Sequence, residues 1–402
     1  MTQATRLTAR CLTAEQQALV EAVRAFARDE IAPAARAAAR PGAELGPDGY
    51  AGLMRAAAQL GLPGLLIDPR YGGGGGTQLD NALVAEELGA ADAGVAAGLN
   101  LTMTVPALVA AAGTAEQRER WLPQAAAGAH ILAGALNEPS VAGSELFNPQ
   151  PGADSGLTTR ATRVDGGYRL DGAKAPWVTN AGAATAYIVF ARTALDQPGA
   201  SSTSAFWVPA GTPGLRCGPR SHLLGLRTGF HAEVILDGVQ VPETARIGPE
   251  GQALPLLMTA TPGMAVGLAA VFVGVARAAC EQALAYASQR HSWGRPIREH
   301  QAVALELAEM VVEVRAARLL VHDAAAAIDA GAPPAELAVA VPAAKTRAVD
   351  AAISCAQRAV RLHGATGVTT GAGPEQLLRD AWTGYSCDFT REMLHLAIAA
   401  AL

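Results

Sequence analysis

Apolar positions recur at helical spacing over the first third of the chain. They give way to short alternating runs in the middle and return to long helical patterns from about residue 252. Thr13-Ala-Glu-Gln16 is a capping box, followed by Leu19, Val23, Phe26 and Ile31 near helical spacing. Asp48 is placed to cap a second helix running to Leu60, with Gly61 at its end. A third helix is predicted over 78–90, and Thr114-Ala-Glu-Gln117 is a second capping box, just before Trp121. Between 131 and 245, turn residues such as Asp165-Gly166, Asp171-Gly172 and Asp237-Gly238 separate short apolar runs. Tyr187–Ala191 and Ser204–Val208 have strand composition, and the spacing suggests a small barrel or sandwich. Four Ala-rich helical patterns follow, roughly 262–290, 299–330, 335–363 and 374–400, as expected of a four-helix bundle. The predicted organisation is therefore an all-α N-terminal domain (1–130), a central β-barrel (131–245) and a C-terminal four-helix bundle (246–402). No βαβ alternation points to a doubly wound parallel sheet.

Two charge-free stretches, 93–115 and 252–276, are long enough to cross a bilayer. Both carry Pro and Thr, lack basic flanks, and read better as buried core helices. Pro262 and Gly263 are expected to break the second near its middle. The net charge of −5 and the lack of clustered Lys and Arg argue against a nucleic-acid partner. Five scattered cysteines without a CxxC motif suggest a reducing compartment. With no apolar h-region near the start, a cytoplasmic protein is expected.

Several chemistries lack their motifs. No GxxxxGK[ST], G-x-G-x-x-G, HExxH or G-x-S-x-G occurs, and no Cys/His spacing suits a metal. The glycine run 72–76 reads as a mobile surface turn rather than a phosphate cradle.

An ordered set of short motifs remains: Leu136-Asn137-Glu-Pro, Gly143-Ser144, Asp171-Gly-Ala-Lys174, Trp177-Val-Thr179-Asn180, Arg290-His-Ser-Trp293-Gly-Arg-Pro296, His300-Gln301, Leu362-His363-Gly364 and Leu378-Arg-Asp380. In this order and spacing the chain resembles the acyl-CoA dehydrogenase family over nearly its whole length. The resemblance implies an FAD flavoprotein oxidising an acyl thioester, on CoA or on a carrier protein. It also implies a homodimer or homotetramer and an electron-transfer flavoprotein or oxygen as acceptor. By the same resemblance Leu136 and Asn137 lie against the flavin, Trp177 and Thr179 cover its ring, and Arg290, with Trp293 and Gln301 beside it, reaches a pyrophosphate. His363 and Gly364 would touch the adenosine part, Thr390 and Glu392 would hold the ribose and adenine, and Ser144 and Phe389 would meet substrate. An indole over an isoalloxazine makes chemical sense, since a flat apolar face shields the ring from water.

The family's commonest base motif is Tyr-Glu-Gly-Thr, and this chain reads Cys387-Asp388-Phe389-Thr390. The carboxylate is kept but one methylene shorter, and Phe replaces Gly. Nitroalkane oxidase, in the same superfamily, carries Asp at this position. Three readings follow: α,β-dehydrogenation of an acyl thioester with Asp388 as base, another flavin oxidation or oxygenation on the same fold, or an inactive family member.

Overall fold

The computed structural model describes residues 12–40, 42–141 and 156–402. The N-terminal part consists of helices α1 (Ala14–Phe26), α2 (Ala32–Ala38), α3 (Pro47–Gln59), α4 (Gln78–Ala91), α5 (Ala93–Thr104), α6 (Pro106–Ala112) and α7 (Ala115–Ala126). Thr13 and Thr114 close their capping boxes as expected. Asp48 does not cap α3. Gly46 is the N-cap, and Pro47 enters at N1, where its missing N–H costs nothing. The glycine run 72–76 is a docked turn: Gly74, Gly75 and Gly76 donate their N–H groups to the carbonyls of Gly64, Ile67 and Leu65. A Cβ at Gly73 would lie 2.0 Å from the Ile67 carbonyl oxygen, so the close approach demands glycine.

Strands β1 (Leu132–Ala135), β2 (Arg160–Val164), β3 (Gly167–Thr179), β4 (Ala186–Arg192), β5 (Thr203–Pro209), β6 (Leu215–Arg220), β7 (His231–Pro242) and β8 (Arg246–Ile247) form one sheet. Its order is β6-β7-β3-β2-β4-β5-β8, with β1 parallel to β4. The sheet curls strongly. Tyr187 on β4 and Cys217 on β6 lie four ladder steps apart, which in a flat sheet is about 19 Å. Yet the Tyr187 hydroxyl sits 3.1 Å from the Cys217 sulfur. Inward residues of β1, β3, β4, β5 and β7 accordingly share one apolar cluster, as in a barrel.

The C-terminal part begins with α8 (Ala253–Gln289), then a hairpin of β9 (His291–Ser292) and β10 (Arg295–Pro296). Helices α9 (Gln301–Asp329), α10 (Pro334–His363), α11 (Pro374–Gly384) and α12 (Arg391–Ala401) follow. The expected break at Pro262 is absent, and α8 runs straight through. Met258 and Thr259 are exposed one turn earlier, so water can reach the carbonyl that Pro262 leaves without a donor. α8 is the central helix of the molecule, packed on α4, α9 and α10. Both apolar stretches are thus core helices. Where α4 crosses α8, buried Glu86 meets Arg277 at 2.9 Å and Arg318 at 2.7 Å, joining the first helical part to the bundle.

The fourth bundle helix, expected as one piece over 374–400, is two helices. Residues 385–390 interrupt it, and within them Asp388 has φ 57°. Gly384 ends α11, and the Thr390 hydroxyl accepts the Met393 N–H to cap α12.

Candidate functional site

The motif residues gather into three groups. The first is where the end of β1 meets β3. Ala175 donates its N–H to the Asn137 carbonyl at 2.8 Å, and the Lys174 ammonium donates to the Leu136 carbonyl at 3.2 Å. Beneath them Lys174 and Glu138 form an ion pair of 2.7 Å with both side chains fully buried. Glu138 also accepts the N–H and hydroxyl of both Thr158 and Thr159. Lys174 and these donors hold its carboxyl below the usual range despite burial. Burial lowers Lys174 to about 8, although the carboxylate opposes this. This pair fixes the strand end, and sequence reading missed it.

Trp177 lies where the β3–β7 register slips between Lys174 and Val178. A strand residue beside such a bulge is turned away from regular pairing. Its indole is 48 % exposed and makes no ring contact or side-chain hydrogen bond among the described residues. Thr179 is half-buried two residues on, and the Asn180 amide donates to the carbonyls of Gly98 and Leu132.

The second group sits at one end of the bundle. Trp293 and Gly294 both have positive φ (53° and 77°), as in the tight turns that close two-residue hairpins. That places Trp293 93 % exposed at the tip. Arg290 caps α8 and is exposed, and its guanidinium has no partner among the described residues. Gln301 opens α9, also exposed. His363 is buried, stacked on Tyr286 at 4.2 Å, and its Nδ1 lies 2.7 Å from the Ala359 carbonyl. Gly364 turns the chain with φ 59°.

The third group is the interruption between α11 and α12. The expectation placed Asp388 in a helix, whereas it occupies the left-handed bend, a conformation that Asp tolerates better than most residues. Phe389 is not left-handed, so replacing Gly with Phe here puts no positive-φ strain on the backbone. Asp388 is exposed, and its carboxyl has no hydrogen-bond partner among the described residues. The surrounding protein pushes the carboxyl up, with the Lys345 ammonium pulling against it. Glu392 accepts the Tyr385 hydroxyl at 2.6 Å. Ser144 lies outside the described residues, as does Gly143.

These groups fit FAD in their chemistry. An unpartnered indole with a free N–H can cover the ring, half-buried Asn137 and Thr179 offer donors and acceptors beside it, and a free guanidinium suits a pyrophosphate.

Comparison with known proteins gives the same direction. Domain models described as acyl-CoA dehydrogenase N-terminal, middle and C-terminal domains match residues 13–129, 133–239 and 253–402. An acyl-CoA dehydrogenase of Bacillus subtilis is 35 % identical over 395 residues, covering 97 % of this chain and 98 % of the relative. The structure of butyryl-CoA dehydrogenase from Megasphaera elsdenii superposes with TM-score 0.86 at 30 % identity, covering 97 % of this chain and 98 % of that one. That of a prolyl acyl carrier protein oxidase superposes with TM-score 0.85 at 25 % identity, covering 97 % and 99 %.

Proposed function

This chain belongs to the acyl-CoA dehydrogenase family, and from that premise we propose that it desaturates an acyl thioester with Asp388 as the base. It is an FAD-dependent oxidoreductase. The observation that carries the assignment is the Asp388 carboxyl, unpaired, exposed and pushed up at the position where the family keeps its base. An α-proton beside a thioester is weakly acidic, so a carboxylate of raised pKa is the better acceptor. Bound FAD supplies the acceptor for the β-hydrogen, taken as hydride. Trp177 would cover the ring and exclude water, while Asn137 and Thr179 would hold its edge. Arg290, Trp293, Gln301, His363, Gly364, Thr390 and Glu392 would hold the rest of the cofactor. Phe389, half-buried beside the base, shapes the acyl pocket, and Ser144 meets the substrate.

The acyl group is carried on CoA, as in the named function of the butyryl-CoA enzyme. An electron-transfer flavoprotein would take up the electrons. The working unit is a homodimer or homotetramer. The unpartnered Arg290, the exposed Trp293, and the exposed apolar stripe Leu305, Val312 and Leu319 at seven-residue spacing on α9 all suit contact with a second copy.

Anaerobic mixing of the yellow protein with butyryl-CoA, and separately with butyryl-loaded carrier protein, tests the reading. Bleaching of the flavin band with an enoyl thioester as product supports it, and the faster of the two arms identifies the carrier. Absence of bleaching in both arms, or an oxygenated product in air, contradicts it.

A further inference from the structure

Lys345 lies on α10 with only 1 % of its surface exposed, and no carboxylate lies within ion-pair distance of it among the described residues. Its ammonium instead donates to two backbone carbonyls, those of Cys387 and Phe389, the latter at 3.0 Å. These carbonyls belong to the residues on either side of Asp388. Burying an ammonium without a counter-ion is costly, so a cation found there must gain something from what it holds. It holds the interruption between α11 and α12 at the point where Asp388 turns left-handed. It also sits at the C-terminal end of α11, where a positive charge is favoured by the helix dipole.

We propose that Lys345 is a positioning residue for Asp388: by tying the carbonyls of Cys387 and Phe389 it fixes the bend that presents the carboxylate. This rests on Asp388 being the base. The same ammonium sets the charge facing that carboxylate. The other charged groups around the interruption are already paired, Asp350 on α10 with Arg391 on α12, and Glu392 with Tyr385. The neighbouring Cys387 thiol is pushed up to about 12 by burial and stays neutral. Lys345 is thus the cation that opposes the desolvation of Asp388, and removing it moves the Asp388 pKa upward.

Lys345→Gln keeps a donor but loses the charge. Lys345→Arg keeps the charge. The readout is the rate of anaerobic flavin reduction by butyryl-CoA against pH, in protein that retains FAD and its melting temperature. In wild type the rate rises with pH as the base loses its proton. In Lys345→Gln that rise is expected to shift upward by about one pH unit, so the rate on the limb falls about tenfold. Lys345→Arg is expected to return the limb toward wild type. A Lys345→Gln profile that superposes on wild type overturns the proposal. Should Lys345→Gln fail to fold, a Lys345→Arg profile shifted upward as far as one unit overturns it equally. Asp388→Asn run alongside separates the two readings: full activity there removes the base assignment itself, whereas an inactive Asp388→Asn with an unmoved Lys345→Gln limb removes only the role of Lys345.

Discussion

The molecule buries two lysines completely and satisfies them in opposite ways. Lys174, at the junction of β1 and β3, is neutralised by Glu138 in a closed network with two threonines. Lys345, under the α11–α12 interruption, donates to carbonyl oxygens and leaves Asp388 without a direct hydrogen-bond partner among the described residues. The first arrangement spends its carboxylate on structure and makes a rigid edge beside Trp177. The second keeps the carboxylate free and supplies only its setting. A paired acid is a poor base because its charged form is already stabilised, whereas an unpaired acid whose carboxyl is pushed up is held ready to take a proton.

The largest effect should come from breaking the closed pair. Lys174→Met leaves the buried Glu138 charge without its counter-ion, a loss of about 3–5 kcal/mol, and denaturant titration should show it. The double variant Lys174→Met, Glu138→Gln should recover part of that loss. Lys345→Met strands two carbonyls rather than a charge. Its cost should be smaller, about 1–3 kcal/mol. If Lys345→Met proves the more destabilising of the two, the contrast drawn here fails.

A buried carboxyl sharpens the comparison through pH. Asp380 on α11 accepts the Leu226 N–H at 2.7 Å, and burial, with Asp92 nearby, pushes it up to about 7. The folded state therefore holds a proton that the unfolded chain, titrating near 4, has lost. Stability from this group is present at low pH and falls as pH rises from about 4 to 7. Asp380→Asn keeps an acceptor for Leu226 and removes the penalty. Its melting temperature should exceed wild type at pH 8, with the gain shrinking toward pH 4; a gain independent of pH would contradict the assignment.

The smallest effect on the fold should be at Trp177, whose indole is half-exposed and makes no ring contact among the described residues. Trp177→Ala should leave the melting of the apoprotein unchanged while weakening FAD retention up to about tenfold. Trp121, stacked on Trp207 at 4.8 Å, should behave in reverse.

The helices were legible because their caps and periodicity are local signals, as Thr13 and Thr114 show. The central strands were legible as strands, but their curl depends on cross-sheet contacts such as Tyr187 to Cys217, which no local pattern encodes. The interruption at 385–390 had a quiet signature, Gly384 before it and Thr390 as a cap after it, hidden because apolar spacing continues across both. Lys345 was missed although it sits between Val341 and Val349, one turn either side on the same buried face. A lysine on such a face is the signal. Lys174 shares the inward parity of Tyr168 and Leu170 and could have been read the same way. Family likeness located Asp388, but only the backbone shows that it stands in a bend with its carboxyl free.

The claim that matters most is that Asp388 removes the α-proton. Asp388→Asn, loaded with FAD, can be incubated with butyryl-CoA in heavy water and followed both for flavin reduction and for deuterium at the α-carbon. The account predicts normal cofactor content and melting, flavin reduction slowed by about a thousandfold or more, and no exchange above background. Reduction or exchange at the wild-type rate would show that the proton leaves to another group.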